Sequence, residues 1–563
     1  MPQSNIEYQT SRRATAEAGA FAANLMSQVA SSGGGTFDSA ASNEFVENLR
    51  SSFDDENGAS NLPRDVQIIL DSAGDEAGNI MRALVSGINE YERQHGVNVP
   101  PDVVELALHN GAAAFDSVTT GSAASLASDP GSLVPMSAIV SIYTTLTAAI
   151  PFAHYVPADR KSREARIGLM KNSAGTKTGR YNQGDSIDGV KSGKEYMGQI
   201  RTNKTLAVDG SGKSDLTGKI TKDMTARDVC DQSGDDVVLR KGRTRVLFKG
   251  RPVAVELNKD KTGSSAVGGS FSEGDTEYAV GGNINNQTGE YALTVTPIIA
   301  AGTEFVVEAS LDFEANKELI PRFQTNVDIK PVFADSWTAY GSTSRESMVQ
   351  MQDELGIDPH QALMIAVNAQ YSNERFRALI NYALRLAQSN TSTFNLDYNG
   401  RKANMSLKEM WRDLFPVISA ASQGMAERTN MNGVTHAIIG PKLLPYIESL
   451  PSDLFVKSGE SKRPGIYRIG RFTDGIEVYY SPDDLAETST SAEMLLIGRA
   501  PEVARSAFIV GDVSSPVMEA LGKDKSLEEG VAFHAVNFTG INPHEETLES
   551  VAMINITGLP DNS

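Results

Sequence analysis

The segment 342–388 constrains the fold most, because it carries two helical patterns in series after a long β-rich region. Thr343 and Glu346 have the spacing of a capping box, which predicts the start of a first helix. Pro359 suits the first position of a second helix, where the missing N–H costs nothing. Apolar residues at helical spacing continue to about Ala387, so the second helix should be about 45 Å long. A helix of this length is expected to be a scaffold, and the surrounding segments must indicate what it supports.

Charge and cysteine content exclude several classes of protein. The net charge is -20, which argues against a broad basic face for binding nucleic acid, although an inner surface could still lie near it. Cys230 is the single cysteine, so an intrachain disulfide framework and a cysteine metal cluster are both excluded. A chain with a single cysteine is typical of a protein in a reducing compartment.

A membrane-spanning role is not expected. Residues 1–13 lack the apolar core of a signal peptide. Residues 130–158 carry no charge, but Pro135 and Pro151 frame only about 15 residues, fewer than the ~20 that span a bilayer. This stretch is predicted to be a buried helix or arm.

Composition and predicted secondary structure change several times along the rest of the chain. Residues 1–128 read as short helices on a flexible leader outside the main core. Residues 159–225 are polar, basic and glycine-dotted, which predicts a long two-stranded excursion. Residues 236–334 read as strands of a small β-sandwich or sheet insertion, with a hairpin turn at Asn286–Gly289. Residues 395–500 then alternate helix and strand, and four strands close the chain within 494–556.

The sequence predicts no catalytic, cofactor-binding or metal-binding residue. The run Gly210-Ser211-Gly212-Lys213-Ser214 has Ala207 where a P-loop needs glycine, which favours a turn. The seven histidines are too far apart in sequence for zinc-type spacing, and no nucleophile-elbow motif is present. Two interpretations remain open for the basic residues between 160 and 180, namely contact with nucleic acid or ion pairs with an acidic neighbouring subunit.

The order of these parts resembles the major capsid proteins of tailed bacteriophages, which have the Hong Kong 97 type fold. The resemblance is closest to T-even-type proteins at Ala334-Asp335-Ser336-Trp337 and at Gln352-Asp353-Glu354-Leu355-Gly356. The hairpin from Gly282 to Val295 is similar to β insertions in capsid proteins of large myoviruses.

The resemblance implies an α+β fold with a long spine helix, an extended β-loop and an inserted small β domain. The implied parts are a helical N-terminal extension or arm (1–128), its continuation (129–158), the extended loop (159–225), peripheral-domain strands with the β insertion (226–335), the spine-helix region (336–395), the axial domain (396–500) and the return strands (501–563).

The implied function is structural. The subunit would assemble with itself as hexamers and pentamers into an icosahedral head around phage DNA, after assembly in the bacterial cytoplasm. The implied partners are other copies, portal, scaffolding, vertex or decoration proteins, and DNA in non-specific proximity, with no cofactor and no membrane. The alternatives are an encapsulin-like nanocompartment shell, a tail or baseplate protein, and a hydrolase whose active site carries no recognisable motif.

Some relatives in this family undergo proteolytic cleavage or cross-linking, and this sequence does not decide whether either occurs here. A maturation protease cuts after glutamate in some of them, and Glu17 and Glu105 are candidate sites here. Others cross-link a loop lysine to an asparagine, for which Lys171, Lys191 and Lys194 lie in the corresponding segment.

Overall fold

The chain forms two compact units, which a computed structural model describes over most of their length. The larger unit joins Met1–Leu169 with Ile329–Ser563, and the inserted unit is Met170–Asp328. The described residues are 2–31, 46–47, 50–51, 53, 62–119, 130–159, 162–223, 234–260, 262–344, 346–347, 350, 359–430, 433–521 and 528–561. Helices and strands occur in similar amounts, so the expected α+β class is confirmed.

Among the described residues, the α-helices all lie in the larger unit. Helix α3 (Ala77–His95) ends at Gly96, whose φ of 66° is the left-handed conformation that favours glycine at a helix C-terminus. Helix α8 (Leu407–Arg412) begins with a capping box between Ser406 and Glu409. The helices are α1 Pro2–Ser31, α2 Arg64–Ala73, α3 Ala77–His95, α4 Pro101–Thr119, α5 Pro130–Thr147, α6 Pro359–Ala387, α7 Tyr398–Arg401, α8 Leu407–Arg412, α9 Leu414–Thr429 and α10 Leu444–Glu448.

The strands belong to four sheets. In chain order they are β1 His154–Tyr155, β2 Glu164–Ala174, β3 Ile200–Leu206, β4 Val208–Asp209, β5 Ser214–Lys219, β6 Arg245–Phe248, β7 Arg251–Glu256, β8 Ser264–Glu273, β9 Thr276–Asn285, β10 Glu290–Thr296, β11 Glu304–Ser310, β12 Phe323–Phe333, β13 Asp335–Ser344, β14 Thr391–Asn395, β15 His436–Ile439, β16 Phe455–Lys457, β17 Tyr467–Phe472, β18 Glu477–Tyr480, β19 Ala492–Ile497, β20 Phe508–Leu521, β21 Glu528–Ile541 and β22 Val551–Thr557.

Two sheets organise the larger unit. A four-stranded sheet has the order β1–β20–β21–β13, and a seven-stranded sheet has the order β14–β22–β19–β15–β18–β17–β16. Strand β13 pairs with β21 in antiparallel register from Asp335 opposite Asn537 to Ser344 opposite Glu528. The four closing strands expected from the sequence are β19 to β22, so that prediction is confirmed.

The N-terminal helices share one core with these sheets. Leu84 of α3 and Leu106 of α4 belong to the same buried cluster as Leu379, Leu495 and Val551. The prediction of a flexible leader outside the main core is therefore wrong for the described residues. The sequence did not reveal this because the partner side chains come from the far end of the chain.

The uncharged segment 130–158 is helix α5 followed by β1, as the buried-helix prediction required. Its Ile142 and Leu146 pack so closely on Gly111 of α4 and Gly87 of α3 that a Cβ on either glycine would lie within 2.7 Å of them. Among the described residues, no helix combines the length and apolarity needed to cross a bilayer.

Helix α6 is the long helix that the sequence predicted, and it runs from Pro359 to Ala387. Its buried stripe includes Leu379, Ile380 and Ala383, which lie in the core with side chains of β19 and β22. The helix predicted before it is not supported at its start, because Thr343 lies in β13. Most of 345–358 lies outside the described residues.

A nine-stranded sheet forms the inserted unit, in the order β3–β11–β6–β7–β8–β9–β10–β5–β4. It curls on itself, because Asn203 Nδ2 of β3 donates to the backbone oxygen of Lys219 in β5 at 2.8 Å. Phe248, Phe305 and Leu216 fill the interior. A sheet insertion was expected, but its first three strands fall within the segment 159–225 that was assigned to the extended loop. The structure therefore moves that boundary to about residue 199.

Strands β2 and β12 form a separate two-stranded sheet. Each of them begins in one unit and ends in the other. At its tip, Gly175 N donates to the backbone oxygen of Arg322 at 2.7 Å. The polypeptide chain thus enters the inserted unit through β2 and leaves it through the neighbouring strand β12.

Candidate functional site

His95 and His544 are buried in the packing of the larger unit. His95 Nδ1 lies 2.9 Å from the Tyr479 hydroxyl, and His544 Nε2 lies 3.1 Å from the backbone oxygen of Ile167. Burial, reinforced by Arg468, lowers the pKa of His95 to about 3, so this ring is neutral at ordinary pH. No group of three or more metal-ligating side chains occurs in the part of the chain that the structure describes.

The glycine-lysine run at 210–214 forms the turn between β4 and β5. Gly210 N donates to the backbone oxygen of Lys213 at 2.8 Å, and Gly212 has a φ of 78°. Strand β5 follows directly, whereas a P-loop requires a helix whose N-terminus faces the phosphates. The turn interpretation of this run is confirmed.

One buried polar network joins α4 to the loop after β19. Arg499 Nη2 donates to both carboxylate oxygens of Asp102 at 3.0 Å, and Tyr155 N donates to the same group at 2.8 Å. His154 Nδ1 lies 3.1 Å from it. Burial alone would raise the pKa of Asp102, but Arg499 and His154 outweigh that effect and hold the pKa well below its usual range.

A second buried network joins α6 to the four-stranded sheet. Arg375 Nη2 lies 3.0 Å from Asp512 Oδ1, and Asp512 Oδ2 accepts a hydrogen bond from Asn110 of α4 at 3.0 Å. Arg375 Nη1 also donates to the Tyr371 hydroxyl at 3.1 Å, which in turn accepts from Asn537 at 2.6 Å. Burial would lower the pKa of Arg375, but Asp512 and Tyr371 raise it well above its usual value.

These networks fix helices in place. Each charge is neutralised by a partner within its own network, so removing one partner would leave a buried, uncompensated charge. Sequence analysis missed both networks, because Asp102 and Arg499 are 397 residues apart and Asn110 and Asp512 are 402 apart. No local motif could have revealed them.

The inserted unit exposes large apolar side chains around the start of β12. We call Met170, Ile320, Phe323 and Val327 the apolar ribbon surface; their exposed fractions are 49%, 41%, 49% and 43%. Phe323 and Val327 point to the same side of a strand, because side chains alternate along it. A two-stranded sheet is only marginally stable by itself, so contact with another molecule would stabilise it.

The basic residues singled out in the excursion mostly have partners within the chain. Lys177 pairs with Asp223 at 2.9 Å and Arg180 pairs with Glu195 at 2.8 Å. Tyr181 and Tyr196 form a small core nearby with Ala174. Arg160 and Lys161 lie outside the described residues. The excursion is thus an ordered loop whose charges are partly satisfied internally.

The larger unit exposes an edge strand. Strand β13 is the last strand of the four-stranded sheet, and among the described strands only β21 pairs with it. Tyr340 on this strand is 61% exposed. A long edge with unpaired backbone groups and an exposed aromatic ring is a template for pairing with another chain.

The seven-stranded sheet has a shorter exposed edge. Its last strand is β16, where Val456 is 57% exposed. These three surfaces, rather than a cleft with converging catalytic groups, are the candidate functional features of the molecule.

The chain matches one family of proteins over more than half of its length. The family model described as Gp23, major capsid protein Gp23, matches residues 186–498. No curated protein matches the chain.

Solved structures from phages and from an encapsulin are similar to parts of the chain. A structure from Microbacterium phage Oxtober96 is 13% identical over 44% of this chain and 80% of its own, with a TM-score of 0.29. The capsid of Ralstonia phage GP4 is 11% identical over 45% of this chain and 79% of its own, with a TM-score of 0.30. The holo-SrpI encapsulin complex from Synechococcus elongatus PCC 7942 is 10% identical over 42% of this chain and 79% of its own, with a TM-score of 0.27.

Proposed function

This chain belongs to the Gp23 family of major capsid proteins, and from that premise we propose that it assembles as hexamers and pentamers into an icosahedral phage head. As a major capsid protein it is a structural component of the virion. In this proposal the subunit has the Hong Kong 97 type fold, carries no active site of its own, and encloses the DNA genome. Assembly takes place in the cytoplasm of the bacterial host.

The exposed strand surfaces support this proposal most directly. The chain has closed hydrophobic cores in both units, yet it exposes the apolar ribbon surface and the edge of β13. Scattered exposed apolar residues are normal, whereas several on one strand mark a contact with another protein. Neighbouring copies would cover these surfaces in a closed shell.

Each part of the chain has a role in the proposed shell. The loop between β2 and β3 would lie across a neighbouring subunit, and helix α6 would be the spine of the peripheral domain. The seven-stranded sheet with residues 396–500 would form the axial domain, whose copies meet around local symmetry axes. Portal, scaffolding, vertex and decoration proteins would bind the assembled lattice, and packaged DNA would approach its inner face without sequence-specific contact.

Negative-stain electron microscopy of the purified chain tests the proposal. We expect rings of five or six subunits or closed shells, because such assemblies bury the strand edges and apolar surfaces that a monomer exposes. Sedimentation velocity over a range of protein concentrations would quantify the assembled fraction. Monomers alone at high concentration would contradict the proposal, and open tubes would point to a tail component instead.

A further inference from the structure

The two units differ sharply in charge. Residues 170–328 contain 21 Lys and Arg against 22 Asp and Glu, a net charge of -1, which leaves -19 of the chain's -20 to the larger unit. Copies of the larger unit therefore repel one another. The inserted unit is the part of the chain that can approach an acidic neighbour without such repulsion.

Four cations meet at one end of the nine-stranded sheet of the inserted unit. We call Arg240, Lys241, Arg243 and Lys259 the basic cluster, and all four are exposed. Arg240, Lys241 and Arg243 flank Gly242 in sequence, and Lys259 packs against that glycine: an added Cβ on Gly242 would lie 2.9 Å from Lys259 Cγ. The segment around Arg243 also lies beside the end of β7, because Glu256 N donates to the backbone oxygen of Thr244 at 2.9 Å.

Among the described residues, the basic cluster has no carboxylate partner, unlike cations elsewhere in the same sheet. Arg245 pairs with Glu308 at 2.5 Å, Lys219 pairs with Asp236 at 2.6 Å, and Lys249 pairs with Glu273. Within the described residues, none of the four cluster side chains has a carboxylate oxygen within 4.0 Å, although Asp260 follows Lys259 in sequence.

The backbone beneath the basic cluster is held rigidly. The buried carboxylate of Glu256 accepts hydrogen bonds from Thr244 N at 3.3 Å and from Asn286 Nδ2 at 2.8 Å. Gly242 has a φ of 71°, a conformation that favours glycine. Lys241 Nζ donates to Thr262 Oγ1 at 2.7 Å. A loop whose backbone is already fixed loses little backbone conformational entropy when an anionic partner binds to its cations.

We propose that the basic cluster is a contact surface for the acidic larger unit of a second copy of this chain. Its guanidinium and ammonium groups form charge-assisted hydrogen bonds with carboxylates of that copy, and they steer the approach of two subunits whose larger units repel each other. This inference rests on the proposed assembly. It identifies the surface that makes assembly depend on charge. A second copy is favoured over nucleic acid because the cluster is small and lacks exposed aromatic rings for stacking on bases.

Charge reversal in the full chain tests the inference. The double variant Arg243→Glu/Lys259→Glu should raise the protein concentration at half-assembly about tenfold at low salt, with a smaller rise for the neutral variant Arg243→Gln/Lys259→Gln. Wild-type assembly should weaken as NaCl is raised, and the reversed variant should lose that dependence or show the opposite one. Light scattering measures assembly, and circular dichroism checks that the exposed substitutions leave the fold intact.

The matched control is Arg251→Glu. Arg251 is exposed and lies at the opposite end of β7 from Glu256, so the same charge change should leave the half-assembly concentration within about twofold of wild type.

Three outcomes would overturn the inference. Unchanged assembly of Arg243→Glu/Lys259→Glu at every salt concentration contradicts the role of the basic cluster but leaves the proposed function standing. A wild-type chain that never assembles contradicts both. Random-sequence duplex DNA is the probe for the competing partner: wild-type binding that the reversal abolishes, with assembly unaffected, would assign the cluster to nucleic acid.

Discussion

Two carboxylates one turn apart on α4 differ in protonation because their partners differ. Asp102 is ionised against Arg499, as described above. Glu105 is also buried, and the Thr15 hydroxyl of α1 donates to its Oε2 at 2.5 Å. Burial, opposed by this hydrogen bond and reinforced by Asp102 and Asp65, raises the pKa of Glu105 to about 7. Its position inside a helix also makes Glu105 a poor protease site in the folded subunit.

Replacing Glu105 with glutamine should change how stability depends on pH. Because its folded-state pKa is raised from 4.5 to about 7, the protonated carboxyl contributes stability fully below pH 4.5 and loses it as pH rises through 7. Glu105→Gln cannot ionise, so at pH 8 the variant should be more stable than wild type by up to about 3 kcal/mol. Urea unfolding of the unassembled subunit, followed by tryptophan fluorescence from pH 4 to 8, measures the difference.

The control for this measurement is Glu76→Gln, at an exposed carboxylate near the start of α3. Its free energy of unfolding should stay within about 0.5 kcal/mol of wild type, as for other exposed substitutions. A constant difference between Glu105→Gln and wild type across the range would mean that folding does not shift the pKa of Glu105, which would contradict the prediction.

Periodicity in the sequence predicted elements well where the pattern was local. Helix α6, the Asn286–Gly289 turn and the closing strands were all placed correctly, because helix and strand repeats are properties of adjacent residues. The membership of β3 to β5 in the nine-stranded sheet was not predictable, since β3 pairs with β11 about 100 residues later. The position of β13 at the edge of its sheet was not predictable for the same reason, because pairing between distant segments decides which strand is the last one.

Helix α6 offers a test of its buried stripe. Ala383 is fully buried against the sheet core, whereas Ala366 on the same helix is exposed. Ala383→Leu should overpack the interface and lower the free energy of unfolding by about 1–3 kcal/mol. Ala366→Leu makes the same change in solvent and should stay within about 0.5 kcal/mol of wild type. Equal effects in urea unfolding would contradict the assignment of the stripe.

At the scale of the whole molecule, the inserted unit should be dispensable for folding of the rest. Gly175 and Arg322 are hydrogen-bonded neighbours at the ends of β2 and β12, so a short turn can replace residues 176–321. We expect the shortened chain to unfold cooperatively with a Tm within about 5 °C of the larger unit's transition in wild type, because that unit keeps its own core.

Differential scanning calorimetry and far-ultraviolet circular dichroism measure the Tm and the cooperativity of unfolding of the shortened chain. A matched variant that keeps the inserted unit but carries the same turn at Gly274–Asp275, in the β8–β9 hairpin, controls for the linker itself. An insoluble or non-cooperative shortened chain, beside a well-folded control, would show that the larger unit depends on the inserted one.

The core that the N-terminal helices share with the closing strands can be completed only near the end of synthesis. Asp102 meets Arg499 only after 397 further residues have been made, which takes about 20–80 s at bacterial rates of translation. Helices α3 to α5 can pack on one another during that interval, but the part of their apolar surface that is covered by the closing strands has no partner yet. The nascent chain must therefore remain soluble without its final core, so aggregation during translation competes with folding and the subunit has reason to depend on chaperones.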